Sequence, residues 1–152
     1  MPRPESDRRE FPERPIVGVG GIVIDADGRV LLVKRAVEPL QGQWSIPGGA
    51  LELGESLTEG VAREILEETG VAVDVTEVVE VLNRVLKLPD GRVQYHYVLI
   101  DYLCRPKVGA AAPRAGSDAG EAQWIVRSQL GEYGLRQDLL QVIERAFRMF
   151  DS

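Results

Sequence analysis

The chain has 152 residues, 44% of them apolar and 28% charged, which suits one globular domain and asks for no second. A formal net charge of −6 argues against a nucleic-acid-binding surface and repels anionic ligands unless cations bridge them, while the single cysteine, Cys104, excludes an internal disulfide or a multi-cysteine zinc site. His96, the only histidine, leaves no room for a histidine-rich metal centre, and with neither an apolar run near the length of a membrane span nor a signal region at the start, a cytoplasmic protein with no membrane partner is expected.

Residues 1 to 14, rich in proline and alternating charge, read as a flexible tail, and residues 15 to 152 as the single domain. Ile16 to Ile24 and Arg29 to Lys34 read as strands separated by Asp25-Ala26-Asp27-Gly28, which has hairpin turn chemistry. Arg35 ends the second strand and is placed to meet a phosphate, while Lys34 alternates with it. Trp44-Ser45-Ile46-Pro47-Gly48-Gly49 follows, and its double glycine lets main chain approach a ligand, so the carbonyl of Gly49 is a candidate metal ligand.

Ser56, followed three residues later by Glu59, is a capping box, and Gly70 is the residue type that most readily ends a helix in the left-handed conformation. The spacing predicts a helix from Leu57 to Thr69, with Leu57, Val61, Ala62, Ile65 and Leu66 on an apolar arc and Gly60, Glu64, Glu67 and Glu68 on a narrower arc beside it. Glu64 stands three and four residues from Glu67 and Glu68, where like charges oppose helix formation. At a separation of ~6 Å and an effective dielectric of ~20, each such pair costs roughly 3 kcal/mol before solvent screening. A divalent cation removes that cost, and clustered carboxylates suit magnesium or manganese, whose shell a phosphorylated ligand would complete. Arg63 lies on the acidic side, within reach of Glu55 or Glu67, and is assigned with the catalytic set in an orienting role.

Beyond the helix, Val71 to Leu86 and Arg92 to Cys104 read as a strand pair around Pro89-Asp90-Gly91, with Cys104 a buried strand residue. Trp44, Tyr95, His96 and Tyr97 either stack on a base or pack into the core, and Trp44 and Tyr95 are carried forward as substrate-binding candidates. Pro106 to Ser117 is a second flexible stretch. It leads into an acidic loop with Asp118 and Glu121, a short strand from Ala122 to Val126, and a helix from Leu135 to Phe150 with Leu139, Ile143, Ala146, Phe147 and Phe150 at helical intervals. A mixed sheet between helices is expected.

The stretch from Gly49 to Val71 resembles the Nudix box at every defining position: Gly49, Glu55, Arg63-Glu64-Ile65, Glu67-Glu68 and Gly70-Val71. The resemblance extends over about residues 16 to 130, from Val30-Leu31-Leu32-Val33-Lys34-Arg35 to the loop Asp118 to Trp124. It implies an α/β (α+β) fold, an α/β/α sandwich with a mixed sheet and a catalytic loop-helix-loop. It further implies magnesium-dependent hydrolysis of a nucleoside diphosphate linked to another group, a small-molecule nucleotide partner, and an oligomeric state in which a homodimer is left open. Under it Glu64, Glu67 and Glu68 are metal ligands and catalytic, Gly49 adds its carbonyl, and Glu55 lies in the second shell or on a further ion. Glu52 fits the extended pattern. Asp118, ahead of Glu121, is an extra metal ligand or the general base, and Glu121 and Arg35 stand with Trp44 and Tyr95 at the substrate.

HYVLIDYLCR, from His96 to Arg105, and the SDAGEAQW loop resemble ADP-ribose pyrophosphatases, which implies ADP-ribose as substrate. The proline often found fifteen or sixteen residues beyond the box in that group would fall at Leu86 or Lys87, and the nearest here is Pro89. Leu88 replaces the tyrosine that marks dinucleoside polyphosphate hydrolases, and no segment resembles the SQPWPFP signature of NADH pyrophosphatases. The alternatives are a nucleoside triphosphate pyrophosphohydrolase, which the box does not separate from the first reading, and a non-catalytic nucleotide-sensing module, against which the intact box glutamates argue.

Overall fold

The computed structural model describes residues 9–37, 40–116 and 119–152. Among the described residues seven strands fall into two sheets: β1 (Ile16–Val23), β4 (Gly48–Ala50), β5 (Val73–Lys87) and β6 (Val93–Pro106) in the order β4-β1-β6-β5, and β2 (Arg29–Arg35), β3 (Trp44–Ser45) and β7 (Ala119–Val126) in the order β3-β2-β7. The first sheet is mixed, since β1 runs parallel to β6 and antiparallel to β4. Two helices, α1 (Leu57–Thr69) and α2 (Gln137–Asp151), complete the layers, with a 3-10 turn at Arg127–Glu132 leading into α2.

The expected hairpin of β1 and β2 reduces to a single bridge, Ile24↔Val30. The reason is that β1 spends both edges elsewhere: β6 pairs along its whole length and β4 takes Gly18 to Gly20 on the other side. The turn between them is nonetheless built as the residues predict, with Gly28 at φ 76° and the Asp25 carboxylate accepting from the amides of Asp27 and Arg29.

Side chains alternate between two cores, one on each face of the sheets. Ile22, Ile24, Val30 and Leu32 meet α2 through Leu139, Val142, Ile143, Ala146 and Phe147, while Val19, Val23 and Leu31 meet α1 through Val61 and Ile65. Helix-sheet-helix layering follows from that alternation. α1 sits close because Gly21 faces it: a Cβ there would come 2.5 Å from Ile65 Cδ1. Val61 and Ile65 are fully buried and contribute about 1.5–3 kcal/mol each. Leu66, expected on the apolar arc, is 51% exposed, so the buried stripe is narrower than its periodicity suggests.

α1 begins and ends where the capping residues predict. Ser56 Oγ accepts from the Glu59 amide at 3.2 Å, and Gly70 (φ 73°) donates to Leu66 O. Cys104 is buried in β6, and the loss of water pushes its thiol up to about 12. Residues 9 to 11, which composition assigns to the tail, lie against the start of β6: the Phe11 amide donates to Gln94 O, and Gln94 Nε2 donates to the Glu10 carboxylate. Among the described residues no helix is long and apolar enough to cross a membrane.

Candidate active site

Capping and burial orient α1 so that its acidic edge runs along β4. Glu64 lies over Gly49 so closely that a Cβ there would fall 2.5 Å from the carboxyl carbon. Glu68, one turn on, accepts from the Gly48 amide and hydrogen-bonds to Glu64, with the charge of Arg35 nearby. These two carboxyls converge on the double glycine. Glu67 turns to Arg63, 3.3 Å away, and among the described residues no third acidic side chain joins the pair.

Arg63 organises the other side of the edge. Its Nε and Nη2 donate to the two oxygens of Glu55 at 2.6 and 2.9 Å, Nη1 donates to Glu64 at 2.9 Å, and Nη2 also reaches the Ala50 carbonyl. Glu52 stands 3.6 Å away. The bidentate bond to Arg63, then the Glu52 amide, hold the Glu55 carboxyl down at about 2, and Glu55 in turn raises Arg63 further. Glu55 is thus committed to Arg63, an arrangement that locks the first turns of α1 against β4.

The strand register decides which glycine carbonyl is available. Gly21 N donates to Pro47 O and Leu51 N to Val17 O, so Val19 and Gly49 form the hydrogen-bonded rung between them. Gly49 directs its carbonyl into the ladder, whereas Gly48, whose amide reaches Glu68, directs its polar groups outward. The metal-ligating carbonyl expected from Gly49 is therefore better supplied by Gly48.

A cavity of about 490 Å³ opens beside this edge, reaching from Gly48, Gly49 and Arg35 to the face under α2. Trp44 and Tyr95 both line it; Trp44 also packs edge-on against Tyr133 at 5.1 Å, and Tyr95 stacks on Tyr97. For Trp44, packing and ligand contact are therefore compatible. Glu121 is not among the described lining residues: it is exposed on β7 and pairs with Lys34 at 3.7 Å. Asp118 lies outside the described residues. Of its described neighbours, Gly116 donates its amide to Glu68 O and Ala119 pairs with Arg35. His96 is half-buried and hydrogen-bonds to Asn83 on the neighbouring strand.

The cavity also holds charged residues that the motifs do not mark: Arg9, Glu10, Arg84, Arg136 and Asp101. The signal for Asp101 was present. It is the one charged residue inside the apolar run Val98 to Cys104, on the same strand face as Tyr95, Tyr97 and Leu99.

Comparison with known proteins bears on the same residues. The NUDIX domain pattern matches residues 14–146. The chain belongs to the Nudix family. A MutT-like protein of Streptomyces ambofaciens is 34% identical over 116 residues, covering 76% of this chain and 67% of that protein. An ADP-ribose pyrophosphatase of Methanocaldococcus jannaschii is 36% identical over 111 residues, covering 73% of this chain and 62% of that protein. The chain thus spans about two thirds of the length of these relatives. The crystal structure of a MutT NUDIX hydrolase from Burkholderia pseudomallei superposes with a TM-score of 0.72 at 29% identity, over 88% of this chain and 98% of that one.

Nudix hydrolases generally need a divalent metal. The donors here fit a hard cation: two converging carboxylates and the outward carbonyl of Gly48, all oxygen, on an edge where uncompensated negative charge is costly.

The same crowding predicts a pH dependence. Burial first, then the charge of Glu64, pushes the Glu68 carboxyl from 4.5 up to about 8, against the pull of Gly48 and Arg35. A group raised in the folded state adds stability that is full below its unfolded value and lost as pH rises through the folded one. In metal-free Nudix protein the contribution of Glu68 is therefore lost between about pH 4.5 and 8. Asp101, raised from 3.8 to about 6, acts likewise at lower pH, while Glu55, held at about 2, acts oppositely and only in acid. Thermal melting in EDTA should fall by roughly 5–10 °C between pH 5 and 8, and Glu68→Gln should flatten the upper part of that decline. Parallel curves for the two proteins would refute the assignment.

Proposed function

We propose that this Nudix hydrolase cleaves the diphosphate linkage of nucleoside diphosphate-X compounds with magnesium, ADP-ribose giving AMP and ribose 5-phosphate. The observation that carries the reading is the Glu64–Glu68 pair set against Gly48 and Gly49 at the mouth of a cavity of about 490 Å³, within the usual range for small-molecule sites. The similarity to an enzyme named ADP-ribose pyrophosphatase supports the substrate.

In this reading Glu64 and Glu68 hold the metal with the Gly48 carbonyl, Glu67 joins them by leaving Arg63, and Arg63 fixes Glu55 and Glu64 so that most of the donor geometry is set before substrate arrives. Magnesium bound there supplies Lewis-acid polarisation of the phosphates and an activated water. Arg35, at the cavity edge beside Glu68, meets a phosphate oxygen, and the walls formed by Trp44 and Tyr95 receive the nucleoside. Asp118 takes the proton of the attacking water or adds a ligand.

Steady-state kcat/KM with magnesium tests the substrate, with products identified by mass. ADP-ribose should exceed every nucleoside triphosphate by about tenfold or more, yielding AMP and ribose 5-phosphate, a difference of about 1.4 kcal/mol in transition-state binding. Pyrophosphate release from a preferred triphosphate would retain the metal site and overturn the substrate.

A further inference from the structure

Among the described residues three polar side chains are buried: Asp25, Thr69 and Asp101. Asp25 accepts from Arg29 and from two amides, and Thr69 donates to Ile65 O. Asp101, 6% exposed, has no hydrogen bond or ion pair to any described residue. Arg84 acts on it through space, but its guanidinium is bonded to Asp138 on α2. Its oxygens are not sealed in the wall but open onto the cavity, where a ligand can reach them.

Its position in the cavity gives it a use. Asp101 occupies one rung with Gly20 and Gly48, so its Cα lies two strand spacings, about 10 Å, from the glycine that bonds Glu68. The carboxylate leans over Gly20, where a Cβ would be 2.8 Å from Oδ1 and 3.3 Å from Ile46 Cδ1. Trp44, Leu82 and Leu99 complete an apolar surround on the same cavity. Arg84 and Arg136 line the cavity as well, but beside Asp101 the apolar faces of Trp44, Ile46, Leu82 and Leu99 next to a single acceptor suit a heterocycle held by its faces and read at one edge.

We infer that Asp101 is a specificity residue that accepts a hydrogen bond from an N–H on the edge of the substrate's nucleobase. The inference rests on the proposed nucleotide substrate but not on its phosphate chain. Burial raises the carboxyl to about 6, which a donor from a bound base would reverse.

The test compares substrates that share whichever phosphate chain the wild-type protein cleaves and differ only in the base: adenine, with its amino group, against unsubstituted purine, which has no donor on that edge. Wild type should favour adenine by about tenfold or more in kcat/KM, because the analogue leaves the carboxylate unpaired. Asp101→Leu should bring the ratio near one by lowering the adenine value, and Asp101→Asn, which keeps an acceptor oxygen, should retain part of it. Calorimetric binding of AMP and of purine riboside monophosphate to metal-free protein should show the same pattern. Both variants should melt close to the wild-type temperature, since no hydrogen bond or ion pair to a described residue is removed, so lost discrimination cannot be ascribed to unfolding. A wild type indifferent to the base, or an Asp101→Leu protein that keeps the preference, overturns the inference. A triphosphate preference with base discrimination lost in Asp101→Leu overturns only the substrate proposed above.

Discussion

Glu68→Gln should lower kcat by about 100-fold or more at saturating magnesium while the protein stays folded, because it removes a proposed metal ligand and leaves the buried face of α1 untouched. The side chain does not contribute to either core; it meets Gly48, Glu64 and Arg35. Metal-free Glu68→Gln should be as stable as wild type or more so near pH 8, since a half-buried carboxyl crowded by Glu64 is replaced by a neutral amide. Glu67→Gln should also lose turnover but gain little stability, because Glu67 is nearly half exposed and paired with Arg63. Asp118→Asn belongs in the same series, as the test of the late-loop base. Near-normal turnover in both glutamate variants would sink the metal assignment.

Gly48→Ala should be the most damaging single methyl in the site. A Cβ at Gly48 would lie 2.4 Å from Val19 O and 2.8 Å from Gly20 Cα, and both obstacles are main chain, so neither can rotate aside. β4 would have to leave β1, taking with it the amide that bonds Glu68 and the glycine beneath Glu64. We expect a loss of about 3 kcal/mol, a melting point lower by about 10 °C, and turnover reduced with it. Gly131→Ala is the matched control, since a Cβ there meets nothing within 4 Å. A Gly48→Ala protein that melts with wild type would show that the β1–β4 contact is looser than its geometry.

Local chemistry made α1 legible to the residue. Ser56, Glu59 and Gly70 act through hydrogen bonds within a few positions, so the predicted span from Leu57 to Thr69 coincides with the observed helix. The apolar intervals of α2 were equally plain, although its start moves from Leu135 to Gln137, where the 3-10 turn hands over to the helix. In sequence the two shortest strands, Trp44–Ser45 and Gly48–Ala50, show only as an entry to the box. Two or three residues carry no periodicity, and they are strands because β2 and β1 offer them an edge.

What the sequence determined by itself is the acidic edge of α1, the arginine beside it, and membership of the Nudix family, because helical spacing and residue chemistry are local properties. Tertiary structure decided the rest. β1 lies between β4 and β6 and not beside β2, which is a competition for strand edges that no local signal reports. Register turned the Gly49 carbonyl inward and the Gly48 carbonyl outward, and Glu121 was drawn to Lys34 on the facing strand. Asp101 became a cavity residue only when the parallel pairing of β6 with β1 set it over Gly20, since a side chain that meets residues eighty positions away is placed by the sheet that joins them.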